Sequence, residues 1–167
     1  EACLGGALKF YGKTVTVEEL LPSLLEDKAF YDNSGGGVTL SGGECLMQPE
    51  FAAALAKALT EKGVRVNIDT CGFVSKEAID AVLPFTDTFL YDVKAYDEDV
   101  HIRATGQSNK SILENLCYID QFDKRIEVRI PFIPGFNEQR INGIAHGARL
   151  IDHAGHAFGV KELAGSN

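Results

Sequence analysis

The chain reads as an α/β protein: a curved, partial and open (β/α) barrel, with parallel strands inside and helices outside. Three observations predict it. Helix-period and strand-period segments alternate along the chain, and such βα repeats build parallel sheets with right-handed crossovers. Four successive strands each carry one apolar and one polar face. Neither common alternative fits that pattern: a sheet covered by helices on both sides reads as continuous apolar runs, and a closed eight-stranded barrel fills its interior with branched apolar residues. The polar faces are therefore expected to line a hollow that holds a large polar ligand.

The elements follow in order. Thr16 to Lys28 places Val17, Leu20, Leu21, Leu24 and Leu25 at helical spacing, and Thr16 with Glu19 forms a capping box. Val38 to Ser41 is a short strand. Pro49 stands where a helix begins, and Phe51, Leu55 and Leu59 line one face of it up to Gly63. Val64 to Asp69 alternates as a strand, and Ser75 caps a short helix ending near Pro84. Thr88 to Lys94 is a third strand, followed by a charged loop at Tyr96-Asp97-Glu98-Asp99. Ser111 and Glu114 form a second capping box before Ile112, Leu116 and Ile119. Ile126 to Ile130 is a fourth strand, and Asn137 caps a helix through Ile141, Ile144, Ala148 and Ile151.

Side chains alternate across a strand. Val66 and Ile68 thus oppose Asn67 and Asp69, Tyr91 and Val93 oppose Asp92 and Lys94, and the apolar face of the fourth strand opposes Glu127 and Arg129. In the first strand the polar partners are Thr39 and Ser41. Ligands of such sheets sit at the carboxyl ends of the strands, where Glu44, Asp69, Thr70, Asp92 and Lys94 gather.

The run Ser34-Gly35-Gly36-Gly37-Val38-Thr39-Leu40-Ser41-Gly42-Gly43-Glu44 ends the first strand in a glycine pair and a carboxylate. Glycine lets a ligand approach the backbone, and the carboxylate suits a cationic amine, so the loop fits an amino-acid-like ligand; it can equally be a plain turn. It is not a phosphate loop, because no Gly-Lys-Ser/Thr follows and a carboxylate would repel phosphate. Asp92-Val93-Lys94 puts a carboxylate and an amine on one face, to bind a ligand, to share a cation, or to pair with each other. Asp69 and Thr70 beside Asp92 offer oxygens to a hard cation or simply close a turn. Arg129 either clamps the ligand or pairs with Glu127.

Composition narrows the class. The 167 residues suffice for one domain with a substantial core, and the net charge of −8 argues against a nucleic-acid grip. No apolar run approaches a membrane span. Cys3, Cys45, Cys71 and Cys117 are far apart and form no C-x-x-C pair, which reads as reduced thiols in a cytoplasmic protein.

At this point several motifs occur in one order: Ser34 to Glu44, Asp69-Thr70-Cys71-Gly72-Phe73-Val74, Phe89-Leu90-Tyr91-Asp92-Val93-Lys94, His101 through Thr105-Gly106 to Asn109, and Val128 through Pro131 and Pro134-Gly135 to Asn137. Together they resemble the glycyl radical enzyme activating enzymes, the pyruvate formate-lyase activating enzyme group of radical S-adenosylmethionine proteins. The resemblance implies a [4Fe-4S] cluster (4Fe-4S) and S-adenosylmethionine as cofactors. It also implies reductive cleavage to a 5′-deoxyadenosyl radical, a glycyl radical enzyme as protein substrate, and an electron donor such as flavodoxin or ferredoxin. By the same resemblance, Ser41, Gly42, Gly43, Glu44, Asp69, Thr70, Asp92, Val93, Lys94 and Arg129 hold the cofactor. Asp69, Thr70, Asp92 and the Leu90 carbonyl hold a monovalent cation, and His101 lies near the substrate or is a surface histidine of the charged loop.

Departures from the family pattern shape a further expectation. The C-x-x-x-C-x-x-C cluster motif is absent, and Cys3 resembles the last cysteine of a ferredoxin-like insert. The chain, 1–167, is therefore expected to be a single core-domain fragment, inactive alone, lacking the N-terminal cluster-binding segment and the C-terminal strands. Cys45 replaces a common proline and reads as a packing substitution. Asp152, His153 and His156 could mimic a metal site or mark an exposed helix end. Two other functions remain open: a barrel lyase or aldolase using Lys94 as a Schiff base, and a non-catalytic binding module.

Overall fold

The computed structural model describes residues 12–131, 133, 149–151 and 157–159. Their centre is a six-stranded sheet in sequential order: β1 (Gly37–Leu40), β2 (Arg65–Thr70), β3 (Thr88–Asp92), β4 (Arg125–Arg129), β5 (Arg149–Ile151) and β6 (Ala157–Gly159). The first five strands are parallel, and β6 returns antiparallel to β5. Helices α1 (Val17–Leu25) and α2 (Lys28–Ser34) precede the sheet, α3 (Pro49–Glu61) links β1 to β2, and α4 (Lys76–Val82) links β2 to β3. Two helices, α5 (Glu98–Thr105) and α6 (Lys110–Ile119), lie between β3 and β4.

The alternation read from the sequence decides the packing. Val38, Val66, Ile68, Phe89, Tyr91, Val93, Ile126 and Val128 are buried in one core with Leu55 and Leu59 of α3, Ile79 and Val82 of α4, and Ile112, Leu116 and Ile119 of α6. The intervening residues Asn67, Asp69, Leu90, Asp92, Glu127 and Arg129 stay only partly buried on the other face. One sheet face is thus covered by helices and the other is polar, as expected.

Helix starts follow local chemistry. Thr16 and Glu19 make the reciprocal capping box of α1, and the Ser75 hydroxyl accepts from the Ala78 N–H at the start of α4. Several expectations need correction. The first helix stops at Leu25, and α2 is a separate turn of chain ending at Gly35, in the left-handed conformation with φ 68°. The charged loop is a helix: the Asp97 carboxylate caps α5, Glu98 and Asp99 sit in its first turn, and Gly106 at φ 77° ends it. Its apolar period is too weak to read, but cap, acidic first turn and terminal glycine were all visible signals. Helix α6 begins at Lys110 with Asn109 as its N-cap, so Ser111 lies inside it and forms no capping box. Residues 149–151 are a strand paired with β4, not the end of a helix; a short apolar run takes whichever form its neighbours pair with. Asn137, Ile141, Ile144 and Ala148 lie outside the described residues.

One lock holds the strand ends. Gly72, just past β2, has φ 71°, and a Cβ there would stand 1.6 Å from the Tyr91 hydroxyl. That hydroxyl donates to the Ile112 carbonyl at 2.7 Å. The Asn115 amide of α6 donates to the Gly72 and Val74 carbonyls at 2.9 and 2.8 Å. Gly72→Ala is expected to destabilise by about 2–5 kcal/mol, the sum of left-handed strain and overpacking. Gly106→Ala, at a similar φ but with open space around it, should lose only the strain of about 1–2 kcal/mol. Urea unfolding midpoints of the two variants check the difference.

Candidate functional site

Strand register brings distant residues onto one face. Asp69 faces Leu90 across β2 and β3, and Asp92 faces Arg129 across β3 and β4. The Arg129 Nε donates to Asp92 Oδ1 at 2.8 Å, and its Nη2 donates to Asp69 Oδ1. Lys94 Nζ donates to Asp92 Oδ2 at 2.9 Å, and Ser41 Oγ to Asp69 Oδ2 at 3.2 Å. Ser41, Asp69, Arg129, Asp92 and Lys94 therefore form one network across the carboxyl ends of four strands, with two positive and two negative charges. Burial works against the charge on Arg129, yet the bond to Asp69 and the two carboxylates outweigh it and hold its pKa above the ordinary value. Arg129 pairs with the aspartates, while Glu127 is paired with Arg125.

A second cluster lies beside the first. Glu44 follows β1 at the start of a single 3₁₀ turn, Cys45–Met47. The Thr70 hydroxyl stands 2.9 Å from both Glu44 carboxylate oxygens, and Glu44 also accepts from the Leu46 N–H at 3.2 Å, the Cys71 N–H at 2.9 Å and the Cys71 thiol at 3.2 Å. The gathering of Glu44, Asp69, Thr70, Asp92 and Lys94 expected from the sequence is thus split in two. Thr70 is 3% exposed and belongs to the helix-covered face, so its hydroxyl does not stand beside Asp69 and Asp92. Successive residues of a strand point to opposite faces, and Thr70 follows Asp69. Val93 is buried for the same reason, and its N–H donates to the Arg129 carbonyl at 3.0 Å. The Leu90 side chain lies on the polar face.

Between β1 and the 3₁₀ turn, Gly42 and Gly43 adopt φ 91° and 54°, and nothing lies within 4 Å of where a Cβ would be. The backbone geometry requires glycine, and the space over it is open. Ser41, Gly42 and Glu44 also border a cavity of about 300 Å³ whose other walls include Leu20, Leu24 and Phe51.

Cys45 packs against the core as expected, its thiol 3.5 Å from the Asp69 carbonyl. Burial, helped by the Glu44 and Asp69 carboxylates, pushes its pKa up from 9.0 to about 11. Burial also raises Cys71 and Tyr91. His101 is neither in a loop nor on the surface: it is 2% exposed on α5, and its Nδ1 donates to the Gln107 carbonyl at 2.7 Å. Cys3, Asp152, His153 and His156 lie outside the described residues.

Two buried amides, Asn109 and Asn115, were given no role by sequence reasoning. Asn115 holds the loop after β2, and Asn109 donates to the Ala95 and Tyr96 carbonyls at 3.0 and 2.7 Å, holding the loop after β3. The signal was present for Asn115, which falls on the same helix face as Ile112 and Ile119; a polar residue inside an apolar stripe must find partners.

Among the described residues no group of three or more His, Cys, Asp or Glu could hold a metal ion, so an iron–sulfur cluster does not fit them. The donor set does fit an amino-acid moiety: open glycine backbone at Gly42 and Gly43, with Lys94 and Arg129 cations and Asp69 and Asp92 carboxylates alongside. Among the described residues no helix is long and apolar enough to cross a membrane.

Two outcomes are expected. Thr70→Val removes the donor to Glu44 and the acceptor for the Gly72 N–H, and should destabilise by about 1–3 kcal/mol in urea unfolding. Stability should also fall as pH rises above about 9. The unfolded Cys45 thiol ionises near 9.0 and the folded one near 11, so the folded state holds more protons in that window and loses stability through it. Thermal midpoints from pH 8 to 11 check this, and Cys45→Ala should flatten the slope.

A sequence profile described as the Radical SAM superfamily matches residues 3–146. The choline trimethylamine-lyase activating enzyme of Oleidesulfovibrio alaskensis is 42% identical over 132 residues, covering 79% of this chain and 43% of the relative. The isethionate sulfite-lyase activating enzyme of Nitratidesulfovibrio vulgaris is 43% identical over 159 residues, covering 94% and 52%. The solved structure of a domain of the pyruvate-formate lyase-activating enzyme from Bacteroides vulgatus superposes with a TM-score of 0.57 at 36% identity, covering 62% of this chain and 64% of that one. The chain spans about half the length of the curated relatives it matches. It belongs to the radical SAM superfamily.

Proposed function

We propose that this chain is the cofactor-binding core of a glycyl radical enzyme activating enzyme. The observation that carries the reading is the Ser41–Asp69–Arg129–Asp92–Lys94 network, which ends the polar face beside the open Gly42–Gly43 backbone. When bound, S-adenosylmethionine and a reduced four-iron cluster would supply one-electron chemistry: the electron that splits the sulfonium would leave methionine and a 5′-deoxyadenosyl radical able to take a hydrogen atom from a substrate. The cluster would be held by residues other than those described.

The chain's own residues position and shield. Gly42 and Gly43 present backbone polar groups to the ligand's amine end, and the carboxylate of Glu44, next in the chain, adds negative potential. Thr70 and Cys71 fix that carboxylate. Lys94 and Arg129 offer cations to the ligand's carboxylate, and Asp69 and Asp92 hold those cations in place. A polypeptide substrate is supported by Met47, Phe73 and Tyr96, exposed apolar residues in the loops that follow β1, β2 and β3. The substrate is a glycyl radical enzyme, and the electron comes from a flavodoxin or ferredoxin.

The lyase reading loses support. A Schiff-base lysine needs burial and a cationic neighbour to be neutral, whereas the Lys94 side chain is 45% exposed and paired with Asp92.

The test is anaerobic reconstitution of the intact protein, reduction, addition of S-adenosylmethionine and chromatography for 5′-deoxyadenosine. Product is expected, and Asp92→Asn should weaken S-adenosylmethionine binding by about tenfold to a hundredfold, the loss of a charged hydrogen-bond partner. Absence of product from protein whose reduced cluster is verified by spin resonance would contradict the reading.

A further inference from the structure

The paired aspartates invite a cation, and the resemblance supplies one. The geometry points to a different solution: we infer that Arg129 is the built-in counter-cation of the Asp69–Asp92 pair, so that the site needs no alkali cation.

Four oxygens decide it. Asp92 Oδ1 accepts from Arg129 Nε at 2.8 Å and Asp92 Oδ2 from Lys94 at 2.9 Å. Asp69 Oδ1 accepts from Arg129 Nη2, and Asp69 Oδ2 from Ser41 at 3.2 Å. Each carboxylate oxygen of the pair has a donor, and the guanidinium lies between the two carboxylates. A cation entering there would have to displace Arg129 from both.

The other expected side-chain ligand, Thr70, does not compensate. The Thr70 hydroxyl faces the opposite side of the sheet and is engaged by Glu44 and the Gly72 N–H. Hard cations need several oxygens around them; of the polar-face carboxylates, Asp69 and Asp92 are already charge-balanced by Arg129 and Lys94, and Glu127 is paired with Arg125. With no ligand bound, a further monovalent charge would leave the cluster net positive.

Arg129 is also held in position. It is the cross-strand partner of Asp92, and its carbonyl accepts from the Val93 N–H at 3.0 Å. A guanidinium is planar, weakly hydrated and able to bridge two carboxylates, which an alkali ion does only after losing its water. The inference deepens the proposed cofactor site, because Arg129 serves both the aspartates and the ligand's carboxylate.

The test reads thermal unfolding, so it does not depend on activity. The protein is melted in potassium, sodium or tetramethylammonium chloride at equal ionic strength. Wild-type midpoints should coincide. Arg129→Met exposes the two carboxylates to each other, and its midpoint should rise saturably with sodium or potassium by about 3 °C. A saturable rise of the wild-type midpoint with either alkali cation overturns the inference. So does an Arg129→Met protein that folds and ignores the cation. If that variant folds in no salt, sodium-23 line widths on the wild type decide. Broadening that potassium reverses would overturn the inference, and no excess broadening would uphold it. Failure here leaves the 5′-deoxyadenosine test untouched, and the reverse also holds.

Discussion

Everything at this site depends on strict alternation along three neighbouring parallel strands. Ile68, Tyr91 and Val128 point into the helix-covered core, so Asp69, Asp92 and Arg129 must point out of it. A slip of one residue in any strand would bury a charge and expose a core residue, a cost that fixes the register. The hydrophobic core thereby does the aligning for the polar face. Residues 60 positions apart in sequence, Asp69 and Arg129, become hydrogen-bonded partners without any local signal between them.

The loops that finish the strands are fixed from the opposite side. Asn115 and Tyr91, both in the core layer, hold Gly72, and the Gly72 N–H in turn donates to Thr70. Thr70 and Cys71 then fix Glu44. A chain of contacts thus runs from helix α6 to the glycine–carboxylate turn after β1. The packed core and the polar turn after β1 are joined through two residues, Gly72 and Thr70, whose neighbours leave little room for change.

Much of this was legible in the sequence, and the reasons for the rest are physical. Alternation identified the polar faces of all four strands, and the capping box at Thr16 and the proline at residue 49 located two helix starts. The motif order pointed to the superfamily that the profile match then showed. Helix α5 escaped because its cap and acidic first turn looked like a charged loop, and residues 149–151 because strand pairing overrode a helical spacing. Thr70 was placed correctly on its strand but assigned to the wrong face. Its partner, Glu44, lies 26 positions away in sequence, and no local pattern predicts that bond. The pairing of Arg129 with Asp69 and Asp92 was equally hidden, since Glu127 was the nearer carboxylate.

The S-adenosylmethionine site is proposed to lie at the carboxyl ends of β1 to β4, on the polar face. Amide shifts in ¹⁵N-labelled protein titrated with S-adenosylmethionine test it most directly. Saturable shifts are expected, concentrated at residues 41–44, at Asp69 and Thr70, at Asp92 and Lys94, and at Arg129. Shifts centred instead on Arg65, Thr88 and Arg125 at the opposite ends of the strands, or no saturable shifts, would contradict it.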